Sequence, residues 1–187
     1  LLNMTLTKTP VCNFGEKAKN FNLLSTENRK LSLNDVKGEN GTLIMFICNH
    51  CPYVKAVIKD VVQDVKYLET LGIKSTAIMS NDVKNYPEDS FENMISFSKF
   101  HAFSFPYVID DTQEVAKEYG AVCTPDFFGY NKKLELQYRG RIRELKNLKP
   151  VRKGDSDLRI AMEQISASGK GPKKQIPSMG CNIKWFK

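Results

Sequence analysis

The sequence contains no apolar run that approaches the ~20 residues of a membrane-spanning helix. Its N-terminal residues also lack the charged, apolar and cleavable regions of a signal peptide. We therefore expect a cytoplasmic protein without a membrane partner. The chain has 187 residues, 41% of them hydrophobic and 26% charged, which fits one domain over residues 1–187 with an ordinary core.

Acidic residues are fewer than basic ones, and the net charge is +7. A positive excess raises the question of nucleic acid binding. Part of the excess lies between residues 139 and 152 and at Lys170, Lys173 and Lys174, and no recognised nucleic-acid-binding motif accompanies it. We interpret it as a solvated face with a basic tail and expect no nucleic acid partner.

Histidine is scarce, and the cysteines are too few for a disulfide-stapled scaffold of this length. The cysteines are Cys12, Cys48, Cys51, Cys123 and Cys181. Because their number is odd, they cannot all pair within the chain. The functional question is which of them are reactive.

A strand, a helix and a second strand are predicted around Cys48 and Cys51. Residues 42–47 form a short continuous apolar run, which is typical of a buried strand. From Pro52 onward, apolar residues recur at spacings of three and four, which predicts a long helix ended by Gly72. Ile73–Met79 predicts the second strand, so the three elements form a right-handed βαβ unit.

The rest of the chain predicts shorter elements in a mixed α/β order. They are a strand at 21–24, a turn or helix at 31–36, a helix capped by Asp89, a strand at 105–109, a helix from Asp111 to Gly120, a hairpin of 126–130 and 134–138, and a helix at 155–167. Residues 169–180 are rich in Gly, Pro and Lys and predict an exposed segment. We therefore treat 168–187 as a C-terminal tail that carries Cys181, with Trp185 and Phe186 available to pin it onto the domain.

Cys51 lies between the predicted strand and the long helix. Backbone N–H groups at a helix start lack intrahelical partners, and the helix dipole is positive there, so a thiolate is stabilised. We expect a lowered pKa and a nucleophilic sulfur at Cys51. Pro52 suits the first helical turn, and Lys55, Arg139 or Arg141 are candidates for additional positive charge.

Cys48 and His50 share this turn, in the order Cys-Asn-His-Cys. The spacing of Cys48 and Cys51 allows a disulfide across the turn, and the alternative is that Cys48 is a buried strand residue. We interpret His50 as a turn residue that hydrogen-bonds the backbone or tunes Cys51. The rival interpretation is a copper or zinc delivery protein that uses Cys48, Cys51 and a histidine, with His101 as the other candidate. The leading interpretation includes no metal and no other cofactor.

Cys123-Thr124-Pro125 is the second motif. A proline at the start of a strand often follows a cis peptide bond, and the alternative is an ordinary trans proline that begins an edge strand. Together with the turn at Cys51, this motif and the sequences at 105–107, 138–141 and 178–185 resemble the thioredoxin superfamily. The resemblance is to its peroxiredoxin-like branch, related to alkyl hydroperoxide reductase and thiol-specific antioxidant proteins.

The resemblance implies an α/β thioredoxin-like fold, with a central mixed sheet flanked by helices and a peroxiredoxin-type insertion. It places Cys51 as the nucleophile and Thr124-Pro125 in a cis-proline loop that faces it. Pro52, Thr124 and Pro125 are then substrate-binding residues. It also implies a disulfide or peroxide substrate and a thioredoxin-like or other dithiol reductant as partners.

Three positions depart from the patterns of these families. Thioredoxins carry a second cysteine where this chain has Val54, and peroxiredoxins carry a threonine and a proline where it has Cys48 and Ile44. The partner of Cys51 is therefore Cys48, Cys123 or Cys181, with Cys48 and Cys123 as the catalytic candidates beside it. We expect a thiol oxidoreductase of the antioxidant type, and the remaining alternative is a redox-inactive interaction module on the same fold.

Overall fold

The computed structural model describes residues 5–187. The strands are β1 (Leu6–Lys8), β2 (Asn22–Ser25), β3 (Lys30–Ser32), β4 (Gly41–Phe46), β5 (Ile73–Met79), β6 (Tyr107–Ile109), β7 (Cys123–Thr124), β8 (Asp126–Tyr130), β9 (Leu136–Arg139), β10 (Leu145–Lys146), β11 (Lys149–Pro150) and β12 (Met179–Asn182). The α-helices are α1 (Leu33–Val36), α2 (Pro52–Glu69), α3 (Phe91–Phe100), α4 (Glu114–Tyr119) and α5 (Asp157–Ser168).

The main sheet has seven strands in the order β3-β2-β6-β5-β4-β8-β9. The three central strands β6, β5 and β4 are parallel, and β2 and β8 join them antiparallel. Helices α2, α3 and α5 contribute to the core on one face, and α1 and α4 contribute to the core on the other. The predicted central mixed sheet flanked by helices is therefore confirmed.

Helix α2 follows directly from its sequence. Its apolar residues at spacings of three and four, among them Val54, Ile58 and Val65, are buried against the sheet, while Lys55 is exposed. Pro52 occupies the first turn, and Gly72 takes a φ of +78° in the turn that leads to β5. No helix in the described part of the chain is both long and apolar enough to cross a membrane.

The short elements downstream occur near their predicted places, but two begin differently. Helix α3 is capped by Ser90, whose hydroxyl accepts from the N–H of Asn93, so the assignment of the cap to Asp89 is wrong. Helix α4 ends at Gly120 as predicted, but it starts at Glu114, and the carboxylate of Asp110 receives the N–H of Ala116.

The C-terminal segment is not an exposed tail. Strand β12 lies between β1 and β7 in a second, three-stranded sheet, with Cys181 opposite Thr124. Cys181 is 3% exposed and Ile183 is 1% exposed. Trp185 and Phe186 are exposed, so Ile183 rather than an aromatic residue anchors the segment. The prediction failed because the burial comes from pairing with distant strands.

Several arginines of the basic stretch form ion pairs within the domain. Arg139 lies 2.9 Å from the buried carboxylate of Asp126, and Arg141 lies 2.6 Å from Asp157. These two side chains therefore balance charges away from Cys51, and they do not supply the positive charge that was considered for it.

Candidate active site at the start of the long helix

The candidate site lies where β4 ends and α2 begins. After Phe46 the chain passes through buried Ile47, Cys48 and Asn49 and reaches Cys51, which is the N-cap residue of α2. The Cys51 side chain is fully buried, with 0% of the residue exposed. The predicted location of Cys51 at the helix start is therefore confirmed.

The sulfur atoms of Cys51 and Cys181 are 2.7 Å apart, although the two residues are 130 positions apart in the chain. The pairing of β12 with β7 produces this contact, because it places Cys181 opposite Thr124. Both cysteines are present as thiols rather than as a disulfide.

The cis-proline loop lies against the same sulfur. The Thr124–Pro125 peptide bond is cis, as predicted. The carbonyl oxygen of Thr124 is 3.4 Å from the Cys51 sulfur, and the Thr124 hydroxyl is 3.5 Å from the Cys48 sulfur. The hydroxyl of Ser178 donates to the carbonyl oxygen of Pro125 at 2.7 Å, so the loop is also tied to the segment that leads into β12.

Cys48 and Cys123 occupy different positions relative to Cys51. The buried Cys48 thiol is in hydrogen-bonding contact with Cys51 and belongs to the site. Cys123 is also buried, but its sulfur contacts the carbonyl oxygen of Pro125 at 3.7 Å. Burial raises the pKa of the Cys123 thiol well above its ordinary value, so it is a poor nucleophile there.

The pKa of Cys51 is lowered. The largest cause is hydrogen bonding from the Cys181 thiol to the Cys51 thiolate, followed by the bond from Cys48 and assisted by the N–H of Val54 at the helix start. Burial opposes these effects. The pKa of Cys181 is raised, mainly because its proton is held in the bond to Cys51. In this pair Cys51 is therefore the thiolate and Cys181 the proton donor.

Asp89 is a site residue that the sequence pattern did not reveal. Its fully buried carboxylate accepts the backbone N–H of Asn49 at 2.8 Å and the side-chain amide of Asn81 at 2.9 Å. Nδ1 of His50 lies 2.6 Å from Oδ2 of the same carboxylate. The hydroxyl of Tyr107 donates to the side-chain oxygen of Asn49 at 2.8 Å, which fixes the turn from the other side.

His50 is the histidine at the site. The contact with Asp89 is the main cause of its raised pKa, and burial acts in the opposite direction. His101 follows the end of α3 among Phe97, Phe100 and Phe103. Burial lowers the pKa of His101, and the charge of Lys55 adds to this effect, so Lys55 acts on His101.

Cys48, His50 and Asp89 each offer a possible metal-ligand atom within 4.8 Å of one another. Sulfur, imidazole and carboxylate are ligands that Zn²⁺ accepts. Both oxygens of Asp89, however, already receive hydrogen bonds, from Asn49 and Asn81. The group is therefore satisfied as a hydrogen-bonded network, and it differs from the predicted set of Cys48, Cys51 and a histidine.

Two solved structures resemble the whole chain. An uncharacterized conserved protein from Geobacillus kaustophilus is 38% identical, with a TM-score of 0.93 over 99% of this chain and 98% of that one. A hypothetical protein from Sinorhizobium meliloti 1021 is 33% identical, with a TM-score of 0.89 over 96% of this chain and 98% of that one. A comparison with functionally curated proteins gives no match.

More distant structures share the fold. The thioredoxin domain of a thiol-disulfide oxidoreductase from Bacteroides vulgatus is 15% identical, with a TM-score of 0.58 over 72% of this chain and 89% of that one. This likeness confirms the thioredoxin-like fold. The model of the AhpC/TSA family matches residues 14–145. That match spans most of the chain and includes the turn at Cys51 and the cis-proline loop, and the protein therefore belongs to the AhpC/TSA family.

Proposed function

We propose that the protein is a thiol oxidoreductase in which Cys51 is the nucleophile and Cys181 is the resolving cysteine. Membership of the AhpC/TSA family supports the general class. The observation that carries the assignment of residues is the distance of 2.7 Å between the two sulfur atoms. Chain segments far apart in sequence meet there, and both sulfurs are removed from bulk water.

The chemistry follows from the unequal acidities of the two thiols. The Cys51 thiolate attacks one sulfur of a substrate disulfide, forms a mixed disulfide and releases the first thiol. Cys181 then loses its proton and attacks the Cys51 sulfur, which releases the second substrate thiol and leaves a Cys51–Cys181 disulfide. With a hydroperoxide, Cys51 becomes a sulfenic acid, and condensation with Cys181 releases water. In both cases a cellular dithiol takes up the oxidising equivalents and restores the two thiols.

Cys181 is favoured over the other two candidates by position and by acidity. Cys123 contacts a carbonyl oxygen instead of the Cys51 sulfur. Cys48 lies in the site, but burial raises its pKa well above the ordinary value, and its thiol also contacts Thr124. We therefore assign to Cys48 the role of a hydrogen-bond donor to the Cys51 thiolate.

Disulfide mapping by mass spectrometry tests the proposal. The reduced protein is treated with one equivalent of hydrogen peroxide or of a small disulfide, digested and compared with four single variants, Cys48→Ser, Cys51→Ser, Cys123→Ser and Cys181→Ser. We expect a Cys51–Cys181 disulfide in the wild type and in the Cys48 and Cys123 variants. In Cys181→Ser, Cys51 should accumulate as a sulfenic acid or a mixed disulfide.

Two results would contradict the proposal. A Cys51 that stays a free thiol in the wild type would exclude it as the nucleophile. A disulfide from Cys51 to Cys48 or Cys123 that forms at the same rate in Cys181→Ser as in the wild type would exclude Cys181 as the resolving residue.

A further inference from the structure

The first step of this chemistry creates a charge in a place that water barely reaches. When Cys51 attacks, the leaving thiol or alkoxide departs with a negative charge. The Cys51 sulfur is completely buried, so the leaving group starts in an environment where an unpaired charge is costly. A proton donor beside Cys51 would remove that cost.

His50 has the position that such a donor needs. It directly precedes Cys51, and its Nδ1 atom is buried against the carboxylate of Asp89 at 2.6 Å. The side chain as a whole is 20% exposed. Since Nδ1 is buried, the exposed surface belongs to the remainder of the ring, which includes Nε2 on the opposite edge. The ring of Tyr86 lies parallel to the imidazole, with 6.0 Å between centroids.

Asp89 is held more firmly than an ordinary ion-pair partner. It is fully buried, and its two oxygens accept the N–H of Asn49 and the amide of Asn81. The carboxylate therefore has one orientation, and it presents its charge to Nδ1. The other charged groups near the imidazole are the Cys51 thiolate and Glu88, which also favour the protonated ring. Lys184 lies beyond Tyr86, with its ammonium group 5.8 Å from the centre of that ring.

We propose that His50, oriented by Asp89, is the general acid that protonates the group leaving from Cys51. The inference rests on the proposed function. A bond forms between the Cys51 sulfur and the substrate atom as the S–S or O–O bond breaks, and the leaving atom takes the proton from Nε2. His50 becomes neutral, Asp89 stays ionised, and solvent at the exposed ring edge returns the proton. Asp89 acts through His50 and is a positioning residue.

Two reagents that deliver the same group to Cys51 test the role. Methyl methanethiosulfonate and dimethyl disulfide both transfer a methylthio group. The first releases a sulfinate, which leaves as an anion without help. The second releases a basic thiolate, whose departure is favoured by a proton. The rates are measured by quenched alkylation and mass spectrometry in a Cys181→Ser background, where the methylthio adduct on Cys51 accumulates.

We expect His50→Gln to slow the reaction with dimethyl disulfide by about 100-fold, at the low end of what a positioned acid contributes. The reaction with the thiosulfonate should change by no more than a few-fold. Asp89→Asn should show the same selective loss to a smaller degree, because the imidazole remains but is no longer oriented. His101→Gln is the matched control and should leave both rates unchanged.

Other outcomes separate the inference from the proposal beneath it. Equal losses with both reagents in His50→Gln would mean that His50 supports the Cys51 thiolate or the fold, and would overturn the acid role. Unchanged rates with both reagents would overturn it too. If adduct formation persisted in Cys51→Ser, the proposed function itself would fail, whatever the His50 variants showed. Thermal melts of each variant identify a loss caused by unfolding, and in that case His50→Gln decides without Asp89→Asn.

Discussion

Oxidation of the Cys51–Cys181 pair should raise the stability of the whole domain. The disulfide would join residues 130 positions apart and so close most of the chain into one loop. In the chain-entropy model, a loop of that length restricts the unfolded state by about 5 kcal/mol at 25 °C, and strain in the folded protein lowers the gain. For a domain of this size each kcal/mol raises the melting temperature by about 2 to 4 °C, so the expected increase is roughly 10 to 20 °C.

Urea unfolding and thermal melts of three samples measure this effect. They are the reduced wild type, the wild type oxidised with one equivalent of hydrogen peroxide, and Cys181→Ser treated in the same way. We expect the midpoint to rise only in the oxidised wild type and to return to its original value after reduction. A gain of similar size in Cys181→Ser would show that the stabilisation has another origin. An oxidised wild type that carries the disulfide but unfolds at the midpoint of the reduced protein would refute the argument.

Three further predictions follow from the same contacts. A Cβ at Gly180 would overlap the carbonyl oxygen of Thr124, so Gly180→Ala should push β12 away from β7 and slow disulfide formation, as measured by mapping after a short oxidant pulse. The lowered pKa of Cys51 means that its thiolate persists as the pH falls below the ordinary thiol pKa of about 8.5, so the difference in thiolate absorbance between the wild type and Cys51→Ser should remain at pH values near neutrality. A difference that disappears below the ordinary pKa would contradict this. Arg139→Ala leaves the buried carboxylate of Asp126 without its cation and should cost about 3 to 5 kcal/mol in urea unfolding, whereas a loss below about 1 kcal/mol would show that the pair is not needed.

The sequence was a good guide where the signal is local. The strand before Cys51, the helix after it and Ile73–Met79 each have an apolar period that belongs to one kind of element, and all three are confirmed. The cis bond at Pro125 was predicted from a short motif together with the family resemblance. Both signals depend on neighbouring residues, which is the information that a single sequence contains.

Residues that reach the site from distant segments were harder to predict. Strand β12 has four residues and no apolar run, so its period is invisible, and its partners β1 and β7 are equally short. Cys181 consequently seemed to lie on a free tail. Asp89 had an acceptable local role as a helix cap, because both Asp and Ser fill that position. Its burial beneath His50 depends on Asn49 and Asn81, which come from different loops.

Strand β12 also determines how another molecule can approach Cys51. An exposed strand edge beside a reactive sulfur would let an extended segment of a second protein add to the sheet through its main chain. On the side of β7 that faces the site, those hydrogen-bonding groups are already used by β12, and Ile183 and Lys184 continue the contact to Val122 and Asp82. A protein that exchanges thiols with Cys51 therefore has to recognise the site through side chains and shape, or act after the C-terminal strand has left its place.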